Sequence, residues 1–172
     1  MRAVVIYESM FGNTRAIAEA IAAGLGPAGD VTVVSVARAK RELLENTNLV
    51  VVGGPTHTHG MSKKRTRAAA AQMSRKPDST LVLDADAHGT GLREWFAAMG
   101  QGTAPAAAFD TRLTGLAVIT GRASRQIGRQ LRRHGFRLVA RPQSFLVAGH
   151  TLLPGETERA REWARGLTRG AA

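Results

Sequence analysis

The sequence predicts an α/β fold with a doubly wound parallel sheet. Two observations carry this expectation. Short continuous apolar runs rich in β-branched residues recur along the chain, as in strands buried on both faces, and patterns of helical period separate them. Strands alternating with helical crossovers favour a parallel sheet with helices on both faces. The chain has 172 residues, consistent with one domain over 1–172. A domain of that size buries about 68–70% of its unfolded surface.

The elements follow in order. Residues 3–7, AVVIY, form the first strand. Ile17, Ala20, Ile21 and Leu25 then share one face of a helix that stops near Gly26 and Pro27. Residues 31–36, VTVVSV, make a second strand, and RAKRELLEN offers only a short helix. Residues 49–56, LVVVGGPT, make a third strand ended by glycines and a proline. An irregular segment is expected at about 60–91, with a basic cluster, an alanine run and the short apolar stretch of STLVLDADAHG. Leu92, Trp95, Phe96 and Met99 then recur at helical spacing, which reads as core packing.

Residues 104–112, APAAAFDTR, give a fourth strand with weak propensity, because alanine has little preference for sheet. A connection containing Thr and Gly, LTGLAVITG, leads to a helix with Ile127 and Leu131 inward and arginines outward, ended by Gly135. The last strand, within FRLVARPQSFLVAG, is interrupted by Pro142, which suits a sheet edge. A closing helix buries Ala160, Trp163, Ala164 and Leu167.

Composition bounds the chemistry. The chain has no cysteine, which excludes disulfides, thiolate metal sites and cysteine nucleophiles. Redox chemistry must come from a bound cofactor. Lys and Arg number 24 against 13 Asp and Glu, a formal +11, consistent with an acidic partner, an anionic surface or a solvated basic exterior. Aromatic residues are only 5%, too few for a platform that stacks single-stranded nucleic acid, and no nucleic-acid motif is present. The N-terminus does not read as a signal peptide, and nowhere do about 18 apolar residues run together, so the expected location is the cytoplasm.

Three polar loops leave the carboxyl ends of strands, where open α/β sheets bind ligands. In the first, ESMFGNT, Ser9, Asn13 and Thr14 offer hydroxyl and amide donors, and Gly12 permits a tight fold. It runs straight into a helix, whose free N–H groups and dipole favour a phosphate. It is neither a Walker loop nor a GxGxxG turn. A helix cap supplied by Ser9 or Asn13 is the structural alternative. The second loop carries Pro55, Thr56, His57, Thr58, His59 and Gly60, and the third carries Asp110, Thr111 and Arg112. The two histidines have no third metal ligand nearby in sequence, so no metal site is expected.

The spacing S-x-F-G-N-T after a first strand resembles the phosphate loop of flavodoxins, [ST]-x-[TF]-G-x-T, and the resemblance extends over nearly the whole chain. Within that family the sequence is similar to short, Arg-rich flavodoxin-domain proteins rather than acidic electron shuttles. The resemblance implies a five-stranded parallel sheet in the order 2-1-3-4-5 and one flavin mononucleotide (FMN). Ser9, Met10, Phe11, Gly12, Asn13 and Thr14 would wrap the phosphate, Met10 and Phe11 mainly through backbone N–H. Thr56, His57, Thr58 and His59 would border one side of the isoalloxazine ring and Asp110, Thr111 and Arg112 the other. No side chain is assigned a catalytic role.

Two departures from the family bear on function. Neither ring loop has a Trp or Tyr, leaving His57 or His59 to stack, with weaker flavin binding expected. Arg112 either pairs with Asp110 at the surface or lies near the ring. At ~5 Å and an effective dielectric near 20 it would favour anionic reduced flavin by roughly 3 kcal/mol, on the order of 100 mV per electron. Such a shift suits two-electron reduction of a quinone or nitro compound. The basic residues Lys63, Lys64, Arg65 and Arg67 either gather an anionic partner at the ring edge or form a solvated helix start.

The leading reading is therefore an FMN-binding redox protein that passes electrons to a partner protein or a small acceptor. An oxidase of the protoporphyrinogen type is an enzymatic variant, and the charge implies an acidic partner if the protein is a shuttle. The alternative keeps the fold without flavin, as a basic interaction module. A response-receiver domain fits less well, because only Glu8 stands where its paired acids belong. A homodimer through the irregular middle remains open.

Overall fold

The computed structural model describes residues 1–27 and 30–171, with side chains described up to residue 169. Its framework is a parallel sheet of β1 (Ala3–Tyr7), β2 (Val31–Ser35), β3 (Leu49–His57), β5 (Pro105–Leu113) and β7 (Gln143–Ala148), in the order β2-β1-β3-β5-β7. This is the expected 2-1-3-4-5 order. Three two-residue strands extend it: β4 (Gly60–Met61) pairs antiparallel with β3, β6 (Arg137–Leu138) parallel with β5, and β8 (Thr151–Leu152) antiparallel with β7.

The proline in the last strand has the expected effect. Between the pairs Ala106–Leu138 and Phe109–Gln143 the ladder advances three residues along β5 but five along its partner. Two extra residues are looped out beside Pro142, which has no N–H to give the ladder. The result is two strands, β6 and β7, in place of one.

Helices cover both faces. On one, α1 (Asn13–Leu25) and α6 (Glu156–Ala171) pack Ile17, Ile21, Ala160, Ala164 and Leu167 against Val5, Val51 and Phe109. Trp163 is only partly buried and meets the ring of Phe145 edge-on at 6.0 Å. On the other, α3 (Leu92–Ala98) and α5 (Ala123–Arg133) pack Leu92, Trp95, Phe96, Ile127 and Leu131 against Val4, Ile6, Val50 and Val52. Each side chain of this size contributes about 1.5–3 kcal/mol on full burial. The three central strands β1, β3 and β5 are buried along nearly their whole length, which explains their unbroken apolar sequence.

The segment read as irregular is partly ordered into α2 (Lys64–Ser74), whose alanine run is a strong helix former. Residues 75–91 have no helix or strand yet are tied down. The Asp84 N–H donates to the Met10 carbonyl at 2.8 Å, and Asp86 accepts from the Ser35 hydroxyl at 2.6 Å and from Arg38. The Ser35 hydrogen bond, with help from Arg38, holds the Asp86 carboxyl below the usual carboxylate range. The connection 114–122 contains one short helix, α4 (Ala117–Thr120).

Candidate functional site

At the carboxyl ends of β1, β3, β5 and β7 lies a cavity of about 370 Å³. That is within the range for small-molecule sites. Its first wall is the loop after β1. Gly12, with φ 86°, is the N-cap of α1, and no side chain caps the helix. Ser9 instead accepts the Gly12 N–H through Oγ at 3.1 Å, which closes the turn and leaves its own hydroxyl proton free to donate. Asn13 donates through Nδ2 to the His150 carbonyl at 2.7 Å. Neither candidate cap residue therefore serves the helix. The first intrahelical bond here is Ala16 N–H to the Gly12 carbonyl, so the amides of Asn13, Thr14 and Arg15 keep the free N–H groups of a helix start. No acidic residue lies in this first turn to compete for them.

The loops are cross-linked to one another. The Thr14 and Thr111 hydroxyls meet at 2.7 Å, joining α1 to β5. Thr56 donates to Asp110 Oδ2 at 3.0 Å and accepts the Ala123 N–H at 2.9 Å. The backbone of His59 bridges to Gly121, drawing the second and third loops together. Arg112 donates through Nη1 to the carbonyls of Leu113 and Gly115 and to Thr120 Oγ1, at 3.1, 3.0 and 2.8 Å, and so fixes the third loop. Loops linked in this way are pre-organised, which lowers the entropy cost of holding a ligand.

Of the residues expected at the site, Ser9, Met10, Phe11, Asn13, Thr14, Pro55, Thr56, His57, Thr58, Thr111 and Arg112 line the cavity together. Gly12 shapes the turn through its backbone. His59, expected as a stacking partner, is exposed and does not line the cavity, and neither does the buried Gly60. Asp110 is displaced further from its expected place beside the ring. It is fully buried behind Thr56, where Oδ2 also accepts the Ser124 N–H at 2.8 Å, and it forms no ion pair with Arg112. Burial pushes its carboxyl above the usual range, against the hydrogen bonds from Ser124 and Thr56. Burial likewise lowers the His57 imidazole, with Glu8 opposing and Arg67 assisting, so His57 is neutral near pH 7.

The basic cluster divides. Lys63, Lys64 and Arg65 are exposed, but Arg67 is buried and bonds Ser62 and Glu94 at 3.0 and 3.1 Å. Burial pushes the Glu94 carboxyl up, but the hydrogen bond and charge of Arg67, together with the Glu94 and Gly91 N–H groups, hold it below its ordinary value. Glu8 is also structural: it is buried, and its Oε2 accepts the Leu92 N–H at the start of α3 at 2.8 Å.

Several lining residues carried no signal in the sequence. Thr66, Ala69, Ala70 and Met73 come from α2, and Val147, Gly149 and His150 from the β7–β8 hairpin. The His150 ring meets Phe11 edge-on at 5.6 Å. A Gly-His turn after a strand was the one available clue. Leu116, Val118 and Ile119 of the connection after β5 are 70, 85 and 66% exposed and do not line the cavity.

A flavodoxin family model matches residues 5–118, about two thirds of the chain. The chain belongs to the flavodoxin family. Solved structures extend the likeness past residue 118. A flavodoxin from the domain Archaea superposes with a TM-score of 0.68 at 20% identity, over 99% of each chain. Oxidised Flavodoxin 1 from Bacillus cereus gives 0.66 at 17% identity over 98% of each. Two-electron reduced Megasphaera elsdenii flavodoxin gives 0.61 at 15% identity, over 97% of this chain and 98% of that one. At these identities the structures establish the shared fold alone. No curated protein matches the sequence. No helix of the described residues is long and apolar enough to cross a membrane, and no metal-holding cluster of three or more His, Cys, Asp or Glu occurs among them.

The second loop turns on Thr58 and His59, with φ 43° and 72°, between the paired residues His57 and Gly60. Two-residue hairpins of this kind favour Asn or Gly, and a β-branched residue at positive φ is strained. Thr58→Asn is expected to stabilise the fold by about 0.5–1 kcal/mol, read as a higher urea midpoint at unchanged slope.

Proposed function

We propose that the protein is an FMN-dependent redox protein that reduces a small quinone-like acceptor or an acidic partner protein. The observation that carries this reading is the uncapped start of α1 on Gly12, opening on a cavity lined by donors and apolar side chains. The amides of Asn13, Thr14 and Arg15 and the hydroxyls of Ser9 and Thr14 would hold the phosphate, the helix terminus supplying partial positive charge. The ring end would lie between the second and third loops, against Pro55, Thr56, His57, Arg112 and Leu113.

Bound FMN would supply the electron transfer; the protein supplies position and electrostatics. Arg112 contributes a fixed cation that favours negative charge developing in the cavity. Neutral His57 can donate one ring N–H there without adding charge. His150 and Phe11, rather than His59, are the rings available to pack on a ligand, alongside Met10 and Met73. The apolar lining from Met10, Phe11, Pro55, Met73 and Val147 suits an apolar ring. At +11, a protein partner must be acidic.

The test is anaerobic. FMN-loaded protein is reduced with dithionite and mixed with a neutral benzoquinone in a stopped-flow instrument. Return of the oxidised visible spectrum within the mixing experiment is expected, faster than for free reduced FMN at the same concentration. Reoxidation no faster than free FMN would overturn the acceptor assignment.

A further inference from the structure

A second cavity, of about 440 Å³, lies beyond Arg112 along the edge of the sheet. It is lined by Arg112, Arg122, Gln143, Ser144, Glu156 and Arg159, with Pro142 and Leu146. Arg112 belongs to both cavities, forming a wall between them. The charges here do not balance. Arg159 is committed to Glu156, donates to the Ser144 carbonyl at 2.6 Å, and lies 4.6 Å from the centre of the Phe145 ring. Glu156 is further engaged by the Leu146 N–H at 2.8 Å. Among the described residues no carboxylate pairs with Arg112 or Arg122. Three arginines against one carboxylate leave two positive charges in excess.

Arg112 is 9% exposed, and the Nε atoms of both Arg112 and Arg122 are buried without any hydrogen-bond partner. A desolvated guanidinium donor with no acceptor is costly, and native proteins seldom leave one unexplained. Both arginines line the one cavity, so a single acceptor there would meet both guanidinium groups. Guanidinium groups match the oxygens of phosphate and carboxylate in geometry, often two bonds at a time.

We propose that this cavity binds a doubly charged oxyanion of the phosphate class, held between Arg112 and Arg122. The excess of two charges matches a dianion. The cavity exceeds the size of inorganic phosphate, leaving space for the organic part of a phosphate monoester. The inference stands without the flavin assignment, because none of its residues except Arg112 lines the first cavity.

Amide NMR titration of the full chain with inorganic phosphate, at ionic strength balanced by chloride, tests it. Saturable shifts are expected at Arg122, Gln143 and Ser144. Arg122→Gln should weaken the affinity read there about tenfold or more, the loss expected of a charge-assisted hydrogen bond. Arg122→Lys, which keeps the charge but loses the fork, should be intermediate and serves if the glutamine variant fails to fold. A glycerol phosphate binding more tightly than phosphate identifies a monoester as ligand, and equal binding identifies free phosphate. Shifts confined to residues 9–15 would overturn the proposal, since phosphate would then occupy only the α1 turn. Equal affinity in wild type and Arg122→Gln would overturn it too. Failure of FMN to bind would leave these shifts unchanged, so the two assignments fail separately.

Discussion

Replacing Gly121 with alanine is expected to destabilise the protein by about 2–4 kcal/mol and to weaken FMN binding about tenfold or more. Two effects add. Gly121 has φ 76° and ψ 177°, a region almost confined to glycine, where an L side chain costs about 1–3 kcal/mol. The added Cβ would also lie 2.1 Å from His59 Cα and 2.5 Å from its carbonyl atoms, all backbone. No rotamer relieves such a contact, so the second and third loops must part. The His59–Gly121 bridge is then lost, and with it the register between the two walls proposed for the ring. Gly155→Ala is the control: φ is 83°, but nothing lies within 4 Å of the new Cβ. It should show only the backbone cost of about 1 kcal/mol and unchanged FMN affinity. Urea unfolding and flavin fluorescence titration measure both quantities. Equal FMN affinity in wild type and Gly121→Ala would show that the loop clasp does not shape the site.

The second large effect concerns Asp110. Alanine there would leave the Ser124 N–H and the Thr56 hydroxyl without their acceptor in a buried place, costing about 2–4 kcal/mol. Asparagine keeps a carbonyl for both donors and removes a charge that burial disfavours, so Asp110→Asn should be near neutral or stabilising at pH 7. The pH dependence fixes the sign. The folded pKa lies above the unfolded value of 3.8, so between the two the native state retains a proton that the unfolded chain releases. Stability contributed by Asp110 therefore falls as pH rises through that window and stays low above it. Asp110→Asn should remove this fall, read from urea midpoints across the acidic range. A steeper fall in the variant would contradict the burial account. Asp110→Ala should also disturb the cavity through Thr56, which lines it.

Much of the fold was legible because each buried strand carries its own signature. Val4 to Ile6 and Leu49 to Val52 are covered on both faces, so their apolar runs admit no alternation. The fourth strand was faint because Ala106, Ala107 and Ala108 contribute burial without sheet propensity; its place between β3 and β7 makes it central. The α2 helix was obscured by flanking basic residues, and its alanines gave helix propensity without an amphipathic stripe. At the site, the first loop was readable because a short-range pattern builds it: Ser9, Gly12, Asn13 and Thr14 act within one turn. Asp110 lies one step further back along β5 than Thr111 and Arg112, which line the cavity, and its carboxylate is taken up by the Thr56 hydroxyl and the Ser124 N–H of α5, partners that only the tertiary fold brings to it. His150 and Met73 reach the site only through tertiary packing, which no local motif records.

The central claim is that the turn after β1 and the cavity beside it hold FMN by its phosphate. Fluorescence titration of the purified protein with FMN and, separately, with riboflavin tests it most directly. The account predicts saturable quenching by one FMN per chain and binding of riboflavin at least about tenfold weaker, since riboflavin lacks the group that the α1 N-terminus would hold. Unquenched FMN fluorescence, or equal affinity for FMN and riboflavin, would contradict it.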